Sequence, residues 1–384
     1  NFSGCGNTLN CNHPVVQEMI LDCLRYWVIE YRVDGFRFDL ASILGRNEDG
    51  VPMNQPPLLR NLAFDSILGN IKLIAEAWDA GGLYQVGSFP SWKRWAEWNG
   101  RYRDDMRCFL KGDTGMARTA AQRMTGSPDL YDPVYRGGNA SVNFITCHDG
   151  FTLCDLYSYN QKHNEANGWN NTDGYDDNNS WNCGVEGDTD DPDILALRRK
   201  MIMNACAVLM CSRGTPMFFA GDEFGNTQFG NNNAYCQDNE ISWLDWTLTE
   251  KNEEILDFFR FMIHLRRDHP ILRQDTSPCS LPFPFTSLHG TTPWKQDLGW
   301  KDKMLGVLFA GKDQQGKDDI LYLGINTYWE PIEVELPSLP QEFYWVPIAD
   351  TSRGAEAIIH QKEVLSQNRY LLQSRSVCLF QVKS

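Results

Sequence analysis

The sequence predicts an α/β protein in which helices enclose a parallel sheet, followed by a small antiparallel β-sandwich. Through the first two thirds of the chain, short apolar segments typical of strands alternate with helical segments. These strands are apolar on both faces, as expected for a parallel sheet covered by helices. After about Asp275 the pattern changes to short strands of partial alternation, separated by clusters of turn-forming residues.

The elements of the larger part are predicted in order along the chain. An amphipathic helix begins near Pro14, because apolar residues recur at intervals of three and four up to Val28. Two later helices cover residues 191–211 and 252–269, and Pro270 stops the second. Five strands are predicted at residues 33–39, 71–75, 95–98, 142–147 and 216–220.

The C-terminal part has its own set of strands. They are predicted at residues 304–310, 320–326, 331–336, 343–349 and 377–382. A chain of 384 residues is long enough for one large domain and one smaller one. We therefore predict two domains, at residues 1–274 and 275–384.

Composition narrows the function classes. The net charge of −15 disfavours a nucleic-acid partner or an anionic membrane, whereas a neutral polymer is unaffected by it. The 13 Trp suit a protein that stacks flat rings on indole side chains. Twelve Cys without a CxxC pair favour free thiols in a reducing cytoplasm. No apolar run approaches the roughly 18 residues of a membrane helix, and no signal peptide opens the chain.

Three acids lie at or near the ends of predicted strands: Asp39, Glu76 and Asp149. The carboxyl ends of parallel barrel strands converge at one face, where the active sites of such folds lie. Each acid alone has a simpler interpretation, since a lone Asp is more often a cap or turn residue and Glu76 could pair with an Arg. Likewise His148 alone is as well explained as a core histidine. The simpler interpretations leave the recurrence at three strand ends unexplained.

Strand alternation gives the acids different environments. It places Arg37 and Asp39 on one side of their strand and Phe36 and Phe38 on the other. Arg37 is expected to keep Asp39 ionised, whereas the apolar flank of Glu76 favours its protonated form. One ionised and one protonated carboxyl group is the pair that retaining glycoside cleavage requires.

The three acids lie in the segments Gly35-Phe-Arg-Phe-Asp39, Leu73-Ile-Ala-Glu-Ala-Trp-Asp79 and Phe144-Ile-Thr-Cys-His-Asp149. In this order the segments resemble three signatures of the α-amylase superfamily, which lie on strands four, five and seven of a (β/α)8 TIM barrel. The resemblance implies a partial barrel, strands four to eight, before the sandwich. It implies Asp39 as nucleophile, Glu76 as general acid/base and Asp149 as the acid that binds the sugar ring. Arg37 would position Asp39, and His148 and Trp78 would bind the substrate.

Further segments are similar to the isoamylase and bacterial glycogen-debranching branch of this superfamily. They are Ala75-Glu-Ala-Trp-Asp-Ala-Gly-Gly-Leu-Tyr84, Ser180-Trp-Asn-Cys-Gly184, Gly214-Thr-Pro-Met-Phe-Phe-Ala-Gly-Asp-Glu-Phe-Gly225 and Gly230-Asn-Asn-Asn-Ala-Tyr235. This resemblance implies hydrolysis of α-1,6 branch linkages in glycogen, amylopectin or a limit dextrin. The alternatives are another hydrolase or a branching enzyme of the superfamily, and a non-catalytic glucan-binding subunit.

The sequence also departs from the superfamily pattern. The signature at the end of strand three is absent, and so are the first three barrel strands and the N-terminal carbohydrate-binding-like domain. Five strands cannot close an eight-stranded barrel, so we expect the chain to be a fragment whose partner is the missing N-terminal half of the same protein.

No cofactor or catalytic metal is expected, because the seven His show no HExxH motif and no clustering. A structural Ca²⁺ within residues 173–179 is compatible with the oxygen ligands there, although a solvated acidic loop explains the segment better. The residues of the signature segments resemble bacterial glycogen-debranching enzymes more than plant starch isoamylases. This resemblance implies a bacterial cytoplasm as the location, with the plastid stroma as the alternative.

Overall fold

The computed structural model describes residues 2–295, 302–361, 363–365 and 367–384. Within it the chain divides into two compact units. The first unit comprises residues 1–101 and 126–143, and the second comprises residues 102–125 and 144–384. The predicted boundary between residues 274 and 275 falls inside the second unit and stays a prediction.

The first unit is built on a parallel sheet. Its elements are α1 (Pro14–Tyr31), β1 (Gly35–Phe38), a 3₁₀ helix (Ala41–Gly45), α2 (Pro57–Phe64), a second 3₁₀ helix (Leu68–Asn70), β2 (Lys72–Ala75), β3 (Trp95–Trp98) and most of β4 (Ser141–Phe144). The strands β1 to β4 pair in chain order, all parallel. Arg37 is level with Ile74, and Ile74 with Ala96. The predicted parallel sheet is confirmed here.

The second unit begins with the helical part of the chain. Its elements are α3 (Gly100–Lys111, from Tyr102 onward), α4 (Ala117–Met124), α5 (Leu153–Leu156), α6 (Pro192–Cys211), β5 (Thr215–Met217), α7 (Leu248–Lys251) and α8 (Glu253–Asp268), with short 3₁₀ turns between them. The helix α6 starts where predicted, because the Asp191 carboxylate caps it and Pro192 occupies its first position. Its C-terminal half is buried on every side, from Met201 to Cys211.

The C-terminal part of the second unit is antiparallel, as predicted. Its strands are β6 (Thr286–His289), β7 (Met304–Lys312), β8 (Asp318–Asn326), β9 (Ile332–Glu335), β10 (Tyr344–Asp350), β11 (Arg369–Leu372) and β12 (Ser376–Lys383). Five of them form a sheet in the order β10-β12-β8-β7-β6, and β11 pairs with β9. Trp345, Tyr322 and Phe380 fill the core of this part. The sequence did not predict the short strands β6 and β11.

Two strands of the larger predicted domain, β4 and β5, each end three residues earlier than predicted, for a local reason. The strand β4 ends at Phe144, and beyond it Arg107 Nε donates to the Ile145 carbonyl at 2.8 Å. The strand β5 ends at Met217, and beyond it the Phe219 N–H donates to the Asp222 carboxylate at 3.0 Å. In both places a side chain takes over the backbone hydrogen bond that a neighbouring strand would otherwise make. None of the helices in the described ranges is long and apolar enough to cross a membrane.

Candidate active site

The first unit brings together three of the predicted site residues. The rings of Phe36 and Phe38 pack into the core, so Arg37 projects from the opposite side of β1. Arg37 Nη1 donates to Asp39 Oδ1 at 2.8 Å, and Nη2 lies 3.1 Å from Glu76 Oε2. One guanidinium group therefore bridges the two carboxyl groups that the sequence assigned as nucleophile and acid.

The two carboxyl groups differ in their exposure to water. The side chain of Asp39 is 75% exposed, whereas that of Glu76 is 5% exposed. Burial raises the pKa of Glu76 to about 7, and the charge and hydrogen bond of Asp39 act in the same direction. The N–H of Leu40 and the charge of Arg37 oppose this shift. A substantial fraction of Glu76 therefore stays protonated near neutral pH, and the shift has the direction that the sequence predicted.

The backbone around Leu40 holds Glu76 in place. The Leu40 N–H donates to Glu76 Oε2 at 2.7 Å, and the Glu76 N–H donates to the Phe38 carbonyl at 3.1 Å. Leu40 has a φ of +40°, in the left-handed region that a leucine seldom adopts. The turn after β1 therefore carries strain that aims an amide at the carboxyl group of Glu76.

One aromatic ring contacts Arg37, and a stacked aromatic pair follows Glu76 in the chain. The guanidinium of Arg37 lies over the ring of Trp98, 4.2 Å from its centroid. Trp78 stacks on Tyr84 with centroids 5.9 Å apart and an interplanar angle of 11°. A Cβ atom at Gly100 would lie 2.7 Å from the Tyr84 hydroxyl oxygen, so a larger residue here requires the Tyr84 ring to move. The sequence predicted a substrate-binding role for Trp78, which stays a prediction, and it did not single out Tyr84 or Trp98.

A buried ion pair supports the loop between Trp78 and Tyr84. Arg46 Nε donates to Asp79 Oδ2 at 2.7 Å, and the Asp79 side chain is fully buried. The N–H groups of Gly81 and Leu83 donate to Asp79 Oδ1 at 2.9 and 3.2 Å. Asp79 thus closes the turn that brings Tyr84 back onto Trp78.

The remaining predicted residues, His148 and Asp149, lie in the second unit. His148 Nε2 is 3.4 Å from Asp149 Oδ2, and both side chains are about half exposed. They follow the end of β4 by four and five residues, so Asp149 does not end a strand as predicted. Two hydrogen bonds fix this segment: the Thr146 hydroxyl donates to Asp222, and the Gly150 N–H donates to the Asn232 carbonyl at 3.0 Å.

Two buried acids that sequence reasoning missed anchor these loops. Asp222 accepts the Leu153 N–H at 2.8 Å, and burial raises its pKa to about 7. Asp155 accepts the Gln228 N–H at 2.8 Å, and burial raises its pKa to about 6. The signal for Asp222 was present in the segment Gly214–Gly225, where an acid follows an apolar run. Both act on backbone groups and hold loops in position.

The metal prediction has no direct test in the structure. In the ranges that the structure describes, no group of three or more His, Cys, Asp or Glu side chains has the arrangement of a metal site. Asp173 accepts amide hydrogens of Asn167 and Asn233, both at 2.8 Å, and Asp176 pairs with Lys162 at 2.6 Å. The structural Ca²⁺ stays a prediction.

Comparison with solved structures identifies the class of fold. The pullulanase of Bacillus acidopullulyticus aligns with 99% of this chain and 42% of its own, with a TM-score of 0.69 and 22% identity. A pullulanase of Anoxybacillus sp. LM18-11, solved with maltotetraose, aligns with 98% of this chain and 48% of its own, with a TM-score of 0.68 and 20% identity. The chain therefore has a pullulanase-like α/β fold, which confirms the predicted partial barrel followed by a sandwich.

Comparison of sequences is more specific, although no protein-family model matches the chain. The glycogen operon protein GlgX homologue of Mycobacterium tuberculosis is 54% identical over 370 residues, which are 91% of this chain and 51% of the relative. Chloroplastic isoamylase 3 of Oryza sativa subsp. japonica is 49% identical over 353 residues, 92% of this chain and 44% of the relative. The chain thus has homologues named isoamylase and GlgX, in agreement with the resemblance seen in its sequence, and it spans about half the length of the curated relatives it matches.

Proposed function

We propose that the protein is a glycoside hydrolase that cleaves α-1,6-glucosidic branch linkages of glycogen or a related α-glucan with retention of configuration. The observation that carries the proposal is the pair of carboxyl groups joined by Arg37: Asp39 is exposed and ion-paired, and Glu76 is buried with its pKa raised to about 7. Retaining cleavage needs one nucleophilic carboxylate and one carboxyl group that delivers a proton. The isoamylase and GlgX relatives support the choice of branch linkage.

The proposed reaction has two steps. Glu76 gives its proton to the bridging oxygen while Asp39 attacks the anomeric carbon, so the glycosidic bond breaks and a β-glycosyl ester forms. Glu76, now ionised, then takes a proton from water, which attacks the ester and releases both the sugar and Asp39. This chemistry uses two carboxyl groups and water and requires no cofactor. For it the two carboxyl groups should lie about 5–5.5 Å apart.

The roles of the other residues rest on the family resemblance. Asp149 is proposed to bind the sugar ring and support the transition state, and His148 is proposed to bond sugar hydroxyls. Trp78 is proposed to stack on the substrate, since its half-buried ring already stacks on the exposed ring of Tyr84. Arg37 is proposed to position Asp39, because its donated hydrogen bond restrains that exposed carboxylate.

We further propose that the working protein includes an N-terminal half that covers the β1 edge. Among the described strands, β1 pairs only with β2, so its other edge keeps free backbone groups. The helix α1 exposes large apolar side chains, among them Met19, Trp27 and Tyr31. Apolar surface of this kind marks an interface. The relatives, of which this chain spans about half, are long enough to provide such a segment.

The decisive experiment measures the release of reducing ends from glycogen. The chain alone, the chain combined with the proposed N-terminal half, and both samples with Asp39→Asn are compared. We expect activity only in the combined wild-type sample, with linear chains as the product. Activity of the Asp39→Asn sample would disprove the assignment of the nucleophile. New branches in a linkage analysis would indicate a branching enzyme, and activity of the chain alone would disprove the need for the N-terminal half.

We propose a bacterial cytoplasm as the location, with the plastid stroma as the alternative. Relatives of both kinds exist, since GlgX homologues are bacterial and the plant isoamylases are chloroplastic. All twelve cysteines are free thiols, which is consistent with either reducing compartment.

A further inference from the structure

Two loops of the second unit present aromatic rings that neither the core nor the proposed acids use. Trp169, in the segment 160–179, is 59% exposed, and Tyr235, in the segment 228–237, is 71% exposed. The indole Nε1 of Trp169 lies 3.3 Å from the Tyr235 hydroxyl oxygen, to which it donates. We call this pair the aromatic platform. This hydrogen bond uses the indole N–H and lies at the ring edges, which leaves the ring faces for another molecule.

The platform is fixed by buried amide side chains. Asn164 and Asn232 are buried and join the two loops: Asn164 Nδ2 donates to Asn232 Oδ1 at 2.8 Å, and the Asn232 N–H donates to Asn164 Oδ1 at 2.9 Å. Nearby, Asn167 Nδ2 donates to the Asn233 carbonyl at 2.9 Å. Directional bonds of this kind hold irregular loops in one conformation. The exposed rings are therefore preorganised, which lowers the entropy lost on binding.

The same network reaches the loop that carries Asp149. The carbonyl of Asn232 accepts the N–H of Gly150, the residue that follows Asp149, at 3.0 Å. Asn232 thus connects the platform to a residue that we propose contacts the sugar ring. This connection distinguishes Trp169 from other exposed tryptophans, such as Trp329 in the C-terminal part, which is 63% exposed.

We propose that Trp169 and Tyr235 form a stacking subsite for glucose rings of a linear α-1,4-glucan segment of the substrate. The inference rests on the proposed function for the nature of the ligand. An aromatic face binds the apolar C–H face of a sugar ring, and neighbouring amides and carboxylates suit its hydroxyl groups. An uncharged polymer also meets no repulsion from a chain whose net charge is −15. The subsite holds a linear part of the substrate, so it affects affinity and not the bond-breaking step.

The test is a calorimetric titration of the full chain with maltoheptaose, a linear α-1,4-glucan that has no branch to cleave. The variants are Trp169→Ala, Tyr235→Ala and Tyr235→Phe, with Trp329→Ala as the matched control of similar exposure. We expect each alanine variant at the platform to weaken binding on the order of tenfold, as central aromatic contacts do. Tyr235→Phe keeps the ring and is expected to change the affinity by less than about threefold. Trp329→Ala is expected to bind like the wild type.

Unchanged affinity in Trp169→Ala and Tyr235→Ala would overturn the platform, and so would an equal loss in Trp329→Ala. Circular dichroism of each variant establishes that a loss is not due to unfolding, and Tyr235→Phe provides a second variant should Tyr235→Ala fail to fold. The titration is independent of the hydrolysis assay. Trp169-dependent binding without branch cleavage in the combined sample of the hydrolysis assay would therefore refute the proposed function alone, and cleavage there without Trp169-dependent binding would refute the platform alone.

Discussion

Arg37 and Asp39 shift the pKa of Glu76 in opposite directions, so replacing each of them should move this pKa in opposite directions. The Arg37 guanidinium lies 3.1 Å from Glu76, whose side chain is 5% exposed. At an effective dielectric of about 20, Coulomb's law gives roughly 5 kcal/mol at this separation. Solvent screening reduces this, and a close opposite charge typically lowers a carboxyl pKa by about 1–3 units, each about 1.4 kcal/mol. Arg37→Gln should therefore raise the pKa of Glu76 above 7 by on the order of one to two units.

Asp39→Asn should act in the opposite direction. The charge of Asp39 and its hydrogen bond both raise the pKa of Glu76, so their removal should lower it. The shift should be the smaller of the two, because the Asp39 side chain is 75% exposed and its charge is screened by water. Arg37→Lys is the matched control, since it keeps the positive charge and should leave the pKa of Glu76 nearer to 7 than Arg37→Gln does.

Carbon-13 detection of the Glu76 carboxyl resonance through a pH titration measures these shifts without any enzymatic assay. The chain is labelled at glutamate, and Glu76→Gln identifies the resonance by its loss. A wild-type Glu76 that titrates near the ordinary glutamate value of about 4.3 would refute the argument that burial keeps it protonated. A downward shift in Arg37→Gln would show that the bridging contact does not carry the expected charge interaction.

Three further predictions concern other parts of the structure. Gly100→Ala should displace the Tyr84 ring from its stack on Trp78, with little loss of stability because Tyr84 is 45% exposed. Quenching of tryptophan fluorescence measures the displacement of the ring, and the melting temperature measures the stability. Asn164→Ala should cost about 1–3 kcal/mol locally, by leaving partners in the other loop unpaired, and should be detected as faster proteolysis within residues 160–179. Asp222→Asn should flatten the dependence of stability on pH between about 4 and 7. The folded state retains a proton there that the unfolded state releases, so in the wild type the free energy of unfolding falls as pH rises through that window; chemical denaturation at several pH values measures it.

The sequence was most successful in predicting which side of a single strand or helix each residue occupies, because this depends only on periodicity within that element. Alternation along β1 placed Arg37 apart from Phe36 and Phe38, and the structure agrees. Contacts between segments far apart in the chain were not predictable in this way. Trp98 reaches Arg37 only because β3 pairs with β2 in one particular register, and Tyr84 reaches Trp78 only because Asp79 closes the turn between them.

Backbone conformation explains a second group of misses. The amide that contacts Glu76 depends on the left-handed φ of Leu40, a conformation for which leucine has no preference and which no sequence rule predicts. The early end of β4 depends on Arg107, which lies 38 residues before the carbonyl it binds. The strand β11 was missed because its four residues, Arg369–Leu372, show no regular alternation of polar and apolar side chains.

Buried acids hold the loops of the second unit in place. Because these acids also titrate, a pH profile of activity alone does not identify which group causes a loss of activity. Asp222 accepts the Thr146 hydroxyl before Asp149 and the Leu153 N–H after it, and its pKa of about 7 coincides with that of Glu76. A loss of activity near neutral pH would therefore report either the ionisation of the proposed acid or a change in the loop anchor. Asp222→Asn separates the two cases, because it removes the second titration and leaves the first. If Glu76 is the acid, the alkaline limb of the activity profile should persist in Asp222→Asn at the pH where the Glu76 resonance titrates.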